Sequence, residues 1–404
     1  MYTNITKINH FFITGFPELL PEYHGPVSTL LFLLYLVIAV GNIFILVFVT
    51  CEKSLHKPSY LIFCHLSLTD LMFGTVTLPK ILSKYWFNDS VISFYGCFAQ
   101  MYFVHFLGAA HSFILMVMAL DRFIAICAPL RYTSLFTNAA ASVLCGVAWL
   151  LPASWMLFVV LDALSLPFCN SNIIAQCYCD QISIINLGCE NVRQSTVLGF
   201  IGAMVSLLFP LSFIILSYFV IIVAVLRISS SEGRLRTLST CTPQLLITGL
   251  VSQCYCDHAS VTKLACGENV AFVQEVAFAN AMVTLLFPLS FIIFSYFSII
   301  IAVLKMSNTE GYRKVLSTCA PQILTTCLYY VPRCVVYITD NLKVKVSPDA
   351  RIIIALLYSL IPAAVNPLIY CLKTADIKAA LIKRFKSRKI NMALKSNTKQ
   401  GHKY

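Results

Sequence analysis

Ionisable and amide side chains inside long apolar stretches come first, because dehydrating a charge in hydrocarbon costs at least about 2.5–3.5 kcal/mol on insertion scales. Asp70, in HLSLTDL, stands midway along one such stretch; Asn42 follows Gly41 in another, and Asn366 opens Asn366-Pro367-Leu368-Ile369-Tyr370 in a third. Three polar groups at comparable depth fit a shared hydrogen-bonded or cation-binding cluster. A structural network joining helices is the other reading, and one set of residues can serve both. Pro367 removes a backbone donor and leaves a carbonyl unpaired, which loosens its helix and makes the segment a candidate moving part. Asp121-Arg122-Phe123, in MALDRFIAICAPLRY, closes a stretch at its far end; such a pair is either a working contact or a snorkelling interfacial one. Met101, His105 and Ala109 recur at i, i+4 and i+8, with Tyr102 and Phe106 beside them, so they share a helix face. An imidazole there suits recognition of an acidic or polar ligand. A histidine bonded to a neighbouring helix, and an aromatic stripe that only packs, are the alternatives. The absence of a phosphate loop, metal-ligand spacing or nucleophile–base pair disfavours an enzyme and points to no metal and no cofactor.

These residues have to be carried by membrane helices. Of 404 residues, 59% are apolar and 11% charged, against about 45–50% and 25% in an ordinary soluble domain. Runs long enough for a ~30 Å hydrocarbon core are predicted at 27–50, 59–82, 97–127, 139–164, 197–226, 272–304, 317–339 and 351–371. Residues 1–25 are polar and carry the glycosylation sequon at Asn4, with a second at Asn88. No cleavable signal is recognisable, so the first run is expected to insert itself. Lys53 and Lys57, Arg122 and Arg131, and Arg227, Arg234 and Arg236 follow the first, third and fifth runs. They put those connections in the cytoplasm and the amino terminus outside. Most of the net charge of +12 lies beyond Tyr370. That basic tail, with an amphipathic helix, is expected to meet anionic membrane lipids and not nucleic acid.

The chain is longer than seven spans require, and a repeat accounts for the surplus. QCYCD at Gln176 recurs at Gln253, and Met204–Thr248 matches Met282–Thr326 without gaps at 30 of 45 positions. The unit is a loop, a span, a second loop and the start of the next span. After the first copy, that next span stops at Ser252; Cys241–Ser252 makes only about 18 Å of helix, too short to cross. The divisions are therefore 1–25; 26–247, holding spans one to five and a truncated sixth; 248–325, the second copy; 317–371, the last two spans; and the tail 372–404. The loop cysteines are more complete in the first copy, which favours 197–226 as the fifth span with 272–304 at the rim. The second copy is the one continuous with the only complete sixth span, which favours 272–304 instead.

Asp70, Asp121-Arg122-Phe123, Trp149, Pro210, Tyr218 and Asn366-Pro367-Leu368-Ile369-Tyr370 resemble, in order, the landmarks of rhodopsin-like G-protein-coupled receptors. Within that class LHKPSYLIFCHLSLTDL, MALDRFIAICAPLRY, SSSEGRLRTLSTC and IPAAVNPLIYCL resemble odorant (olfactory) receptors, and the likeness covers essentially the whole chain. It implies an all-α membrane protein: a seven-transmembrane-helix bundle, here with one supernumerary span from the repeat. It implies a plasma-membrane receptor for a small-molecule odorant, held in the outer half between spans three, five and six and the second outer loop. Arg122 would leave Asp121 to contact a heterotrimeric stimulatory olfactory-type G protein, raising cyclic AMP. Tyr218, or its copy Tyr296, and Tyr370 would support that state, and Asp70, Asn42 and Asn366 would line a sodium-type pocket. Cys97 would bridge to Cys179 and Cys169 to Cys189, with Cys177 left over. Tyr330, in Tyr329-Tyr330-Val331-Pro332, would be the toggle, where many odorant receptors carry Phe-Tyr-Gly. A misjoined or pseudogene product of two neighbouring receptor genes is the rival reading, and a secondary transporter the remote one.

Overall fold

The computed structural model describes residues 8–16, 19–168, 171–174, 176–189, 192–226, 348–373, 377 and 379–384. Asn4, Cys169, Tyr296, Tyr330, the second copy of the repeat and the spans expected at 272–304 and 317–339 lie outside the described residues.

Six long helices and two short ones are described: α1 (Pro21–Cys51), α2 (Pro58–Phe87), α3 (Phe94–Cys127), α4 (Tyr132–Leu135), α5 (Asn138–Leu164), α6 (Gln181–Ile185), α7 (Val192–Leu226) and α8 (Pro348–Lys373). Five of them, α1, α2, α3, α5 and α7, are long and apolar enough to cross a membrane; the apolar part of α8 is the shorter Leu360–Ile369. The helices outrun the predicted apolar runs. α1 begins at Pro21, where a missing N–H costs the first turn nothing. α2 runs past Lys84 to Phe87 and stops on Asn88 at φ 54°, a left-handed conformation that asparagine tolerates. Ser93 and Thr137 cap α3 and α5 by accepting from the Gly96 and Ala140 amides.

The chain departs from the all-α expectation at one end of the bundle. His10–Ile13 forms β1, central in a three-stranded sheet between β2 (Val91–Ser93, antiparallel) and β3 (Ile173–Ile174, parallel). The segment expected to be a polar tail thus contains a strand, and its alternation explains why. Phe11 and Ile13 are buried while His10 and Phe12 are exposed, the two-residue period of a half-buried strand. Phe11 stacks on Phe94 and meets Phe168 edge-on, pinning the sheet to the start of α3.

α3 is the central helix. Of its most apolar stretch 83% is buried, against 22% for α1, and it packs on α2, α5 and α7, while α1 packs on α2 and α8. The other face of α1 exposes Leu33, Val37, Val40, Phe44 and Val47, an apolar surface suited to hydrocarbon rather than water.

Candidate functional site

The polar centre is built across four helices. Asn366 on α8 donates through Nδ2 to Asp70 Oδ2 on α2 at 2.8 Å. His111 on α3 places Nδ1 3.1 Å from Asp70 Oδ1 and 3.2 Å from Thr69 Oγ1. Asn42 on α1 donates to Ile38 O at 2.9 Å and to Ala363 O at 3.0 Å. The second bond has a local cause: Ala363 is the carbonyl that an N–H at position 367 would otherwise meet, and Pro367 has none. Gly41 allows the approach, since a Cβ there would stand 3.1 Å from the Pro367 ring. Asn42, Asp70 and Asn366 therefore belong to one network, with Asn42 joined through the α8 backbone. His111 escaped the sequence reading, although a histidine in an apolar run carries the same dehydration argument that singled out Asp70.

At the end of α3 away from the sheet, Asp121 is fully buried and takes three donors. Tyr132 OH gives a 2.7 Å bond to Oδ1, Ser59 Oγ a 2.9 Å bond to Oδ2, and Arg122 Nη2 lies 3.2 Å from Oδ2. Burial, reinforced by the Asp121 hydrogen bond, pushes the Tyr132 phenol up to about 12. Ser59 and Tyr132 come from other elements, so no spacing around Asp121 announces them. Tyr218 lies on α7, and Pro367 and Tyr370 lie on α8. Trp149 Nε1 donates to His65 Nδ1 at 3.2 Å, tying α5 to α2.

At the sheet end, the helix-face residues divide. Met101 and Ala109 are buried, Met101 in the cluster beneath the sheet. Tyr102 and Phe106 stack at 5.5 Å, and Phe106 lies against Trp149. His105 Nε2 lies 3.5 Å from Asp180 Oδ1, a loop carboxylate that sequence reading did not select. Next to Asp180, Cys179 is disulfide-bonded to Cys97, with Cα atoms 5.4 Å apart, and its amide donates to Gln100 Oε1 at 3.0 Å. Cys189 is also disulfide-bonded. Cys177 is a free, buried thiol, and burial pushes its ionisation up. At the exposed turn after α2, Asn88 stands beside Asp89, whose carboxyl is held below the usual carboxylate range by Lys80 Nζ at 2.7 Å.

A bundle of apolar helices with a buried aspartate–asparagine centre at mid-depth and an acid–arginine pair at the end of its central helix fits a rhodopsin-like membrane receptor. Comparison with known proteins agrees and narrows it. The family model described as olfactory receptor matches twice, over residues 31–250 and 244–388. Olfactory receptor 2AT4 of Homo sapiens is 38% identical over 239 residues, covering 59% of this chain and 75% of that protein. Olfactory receptor 52N5 of Homo sapiens is 38% identical over 242 residues (58% and 72%), and olfactory receptor 1496 of Rattus norvegicus 36% over 248 residues (61% and 79%). The chain belongs to the olfactory receptor family.

Proposed function

We propose that the chain is an odorant receptor of the plasma membrane, with its amino terminus and sheet outside and the Arg122 end in the cytoplasm. A small odorant enters near His105, Met101, Tyr102, Phe106 and Ala109, with Tyr330 from the sixth span, and stabilises a state in which Arg122 leaves Asp121. Arg122 then meets a stimulatory olfactory-type G protein, supported by Tyr218 or Tyr296, Asn366, Pro367 and Tyr370, and cyclic AMP rises. Cys169 closes the second outer loop with Cys189, and Asn4 and Asn88 are the glycosylation sites. The observation that carries the reading is the Asp121 brace: a buried carboxylate held by Ser59 and Tyr132 and paired with an arginine at the helix end. Such an arrangement has two definable states, arginine bound and arginine released.

The experiment is nucleotide exchange on the stimulatory olfactory-type G protein by membranes bearing the full chain, challenged with an odorant panel. Exchange is expected to rise with odorant and to vanish in Arg122→Ala at equal surface density. Exchange no faster than in membranes lacking the chain would overturn the reading.

A further inference from the structure

The sodium-type pocket implied by the family likeness meets a difficulty in the donors around Asp70. Hard cations are held by oxygen ligands, whereas a nitrogen stands against each oxygen of this carboxylate: His111 Nδ1 lies 3.1 Å from Oδ1 and Asn366 Nδ2 donates to Oδ2 at 2.8 Å. Thr69 fixes which ring nitrogen carries the hydrogen. Its single hydroxyl hydrogen goes to Leu66 O at 2.7 Å, so at 3.2 Å from His111 Nδ1 its oxygen can only accept. Nδ1 is therefore the donor, shared between Thr69 Oγ1 and Asp70 Oδ1. A cation bound at Oδ1 would face the positive end of that N–H dipole and be repelled by it. Asp70 is 4% exposed and His111 5%, so water screens little of this interaction.

We infer that His111 stands in for the cation: the Asp70 centre of this chain is a sodium-independent tie across α2, α3 and α8, with His111 as its positioning residue. The remaining oxygens make the inference testable in both directions. Asn42 Oδ1, Ser67 Oγ and Asn366 Oδ1 are buried without a protein hydrogen-bond partner among the described residues. With the imidazole removed, the Asp70 carboxylate and the Asn366 amide bonded to it supply oxygen donors of the kind a small cation takes. The inference goes beyond odorant and G-protein recognition and stands without either.

The test is thermal unfolding of the purified full chain in sodium chloride against N-methylglucamine chloride, both at about 0.15 M. The unsubstituted chain is expected to unfold at the same temperature in both salts. His111→Ser is expected to gain a sodium-dependent rise of about 3 °C or more, as a newly bound ligand confers, while His111→Asn, which keeps an N–H donor, stays insensitive. A sodium-dependent rise in the unsubstituted chain overturns the inference, as does a folded His111→Ser that shows none. Should His111→Ser fail to fold, the unsubstituted chain decides alone: an unchanged midpoint supports the tie, a rise refutes it.

Discussion

Asp121, beside Arg122, is held by partners that are distant in sequence. Ser59 is 62 positions away and Tyr132 eleven, and only the packing of α2 on α3 and the turn before α5 bring them to the carboxylate. Asp121-Arg122 was legible because charges ending an apolar run are rare; Ser59 and Tyr132 were not, since a serine and a tyrosine near a helix end are unremarkable in composition. A hydrogen bond to a charged group is worth roughly 1.5–3 kcal/mol. If it braces the arginine-bound state, Tyr132→Phe raises basal cyclic AMP by about tenfold or more at matched surface density, and Ser59→Ala raises it by less. Asp89 gives a pH dependence of known sign. Its folded-state value lies below the unfolded one because of Lys80, so its contribution is present above pH ~4 and is lost as pH falls further. The unfolding midpoint is expected to drop as the pH falls below about 4, and Lys80→Met to flatten that drop.

The long helices among the described residues could be read from length and apolarity. The sheet could not, because its strands are two to four residues long and mean nothing until α2, α3 and α5 bring their loops together. Phe11 is then fully buried against Phe94 and Phe168. Replacing a buried phenylalanine by alanine costs about 3–5 kcal/mol, so Phe11→Ala is expected to lower the unfolding temperature and cut surface delivery. The Cys97–Cys179 bridge closes a separation of 82 residues, for which the chain-entropy relation gives about 4.5 kcal/mol. Cys97→Ser is therefore expected to be retained inside the cell, whereas Cys177→Ser, at a free thiol, is not. That contrast also resolves the loop cysteine left over in the sequence.

At the scale of the whole chain, one sequence unit occurs twice, and the described helix comes from the first copy. α7, from the first copy, packs along α3 and α5, and Ser195 donates to Asp162 Oδ2 at 2.5 Å to join α7 to α5. The first copy also carries Cys179, the cysteine bonded to Cys97. The two family matches overlap only at 244–250, close to where the second copy begins. Removing 248–325 joins Ile247 to Thr326 in one uninterrupted apolar run, and we propose the shortened chain as the receptor in its simplest form. Odorant-evoked cyclic AMP from cells displaying that shortened chain, beside the full chain at measured surface density, tests the receptor reading most directly. The expected result is a dose-dependent rise in the shortened chain at least as large as in the full one, abolished by Arg122→Ala. Shortened chain present at the surface, with cyclic AMP no higher than in cells without it under every odorant mixture, would contradict it.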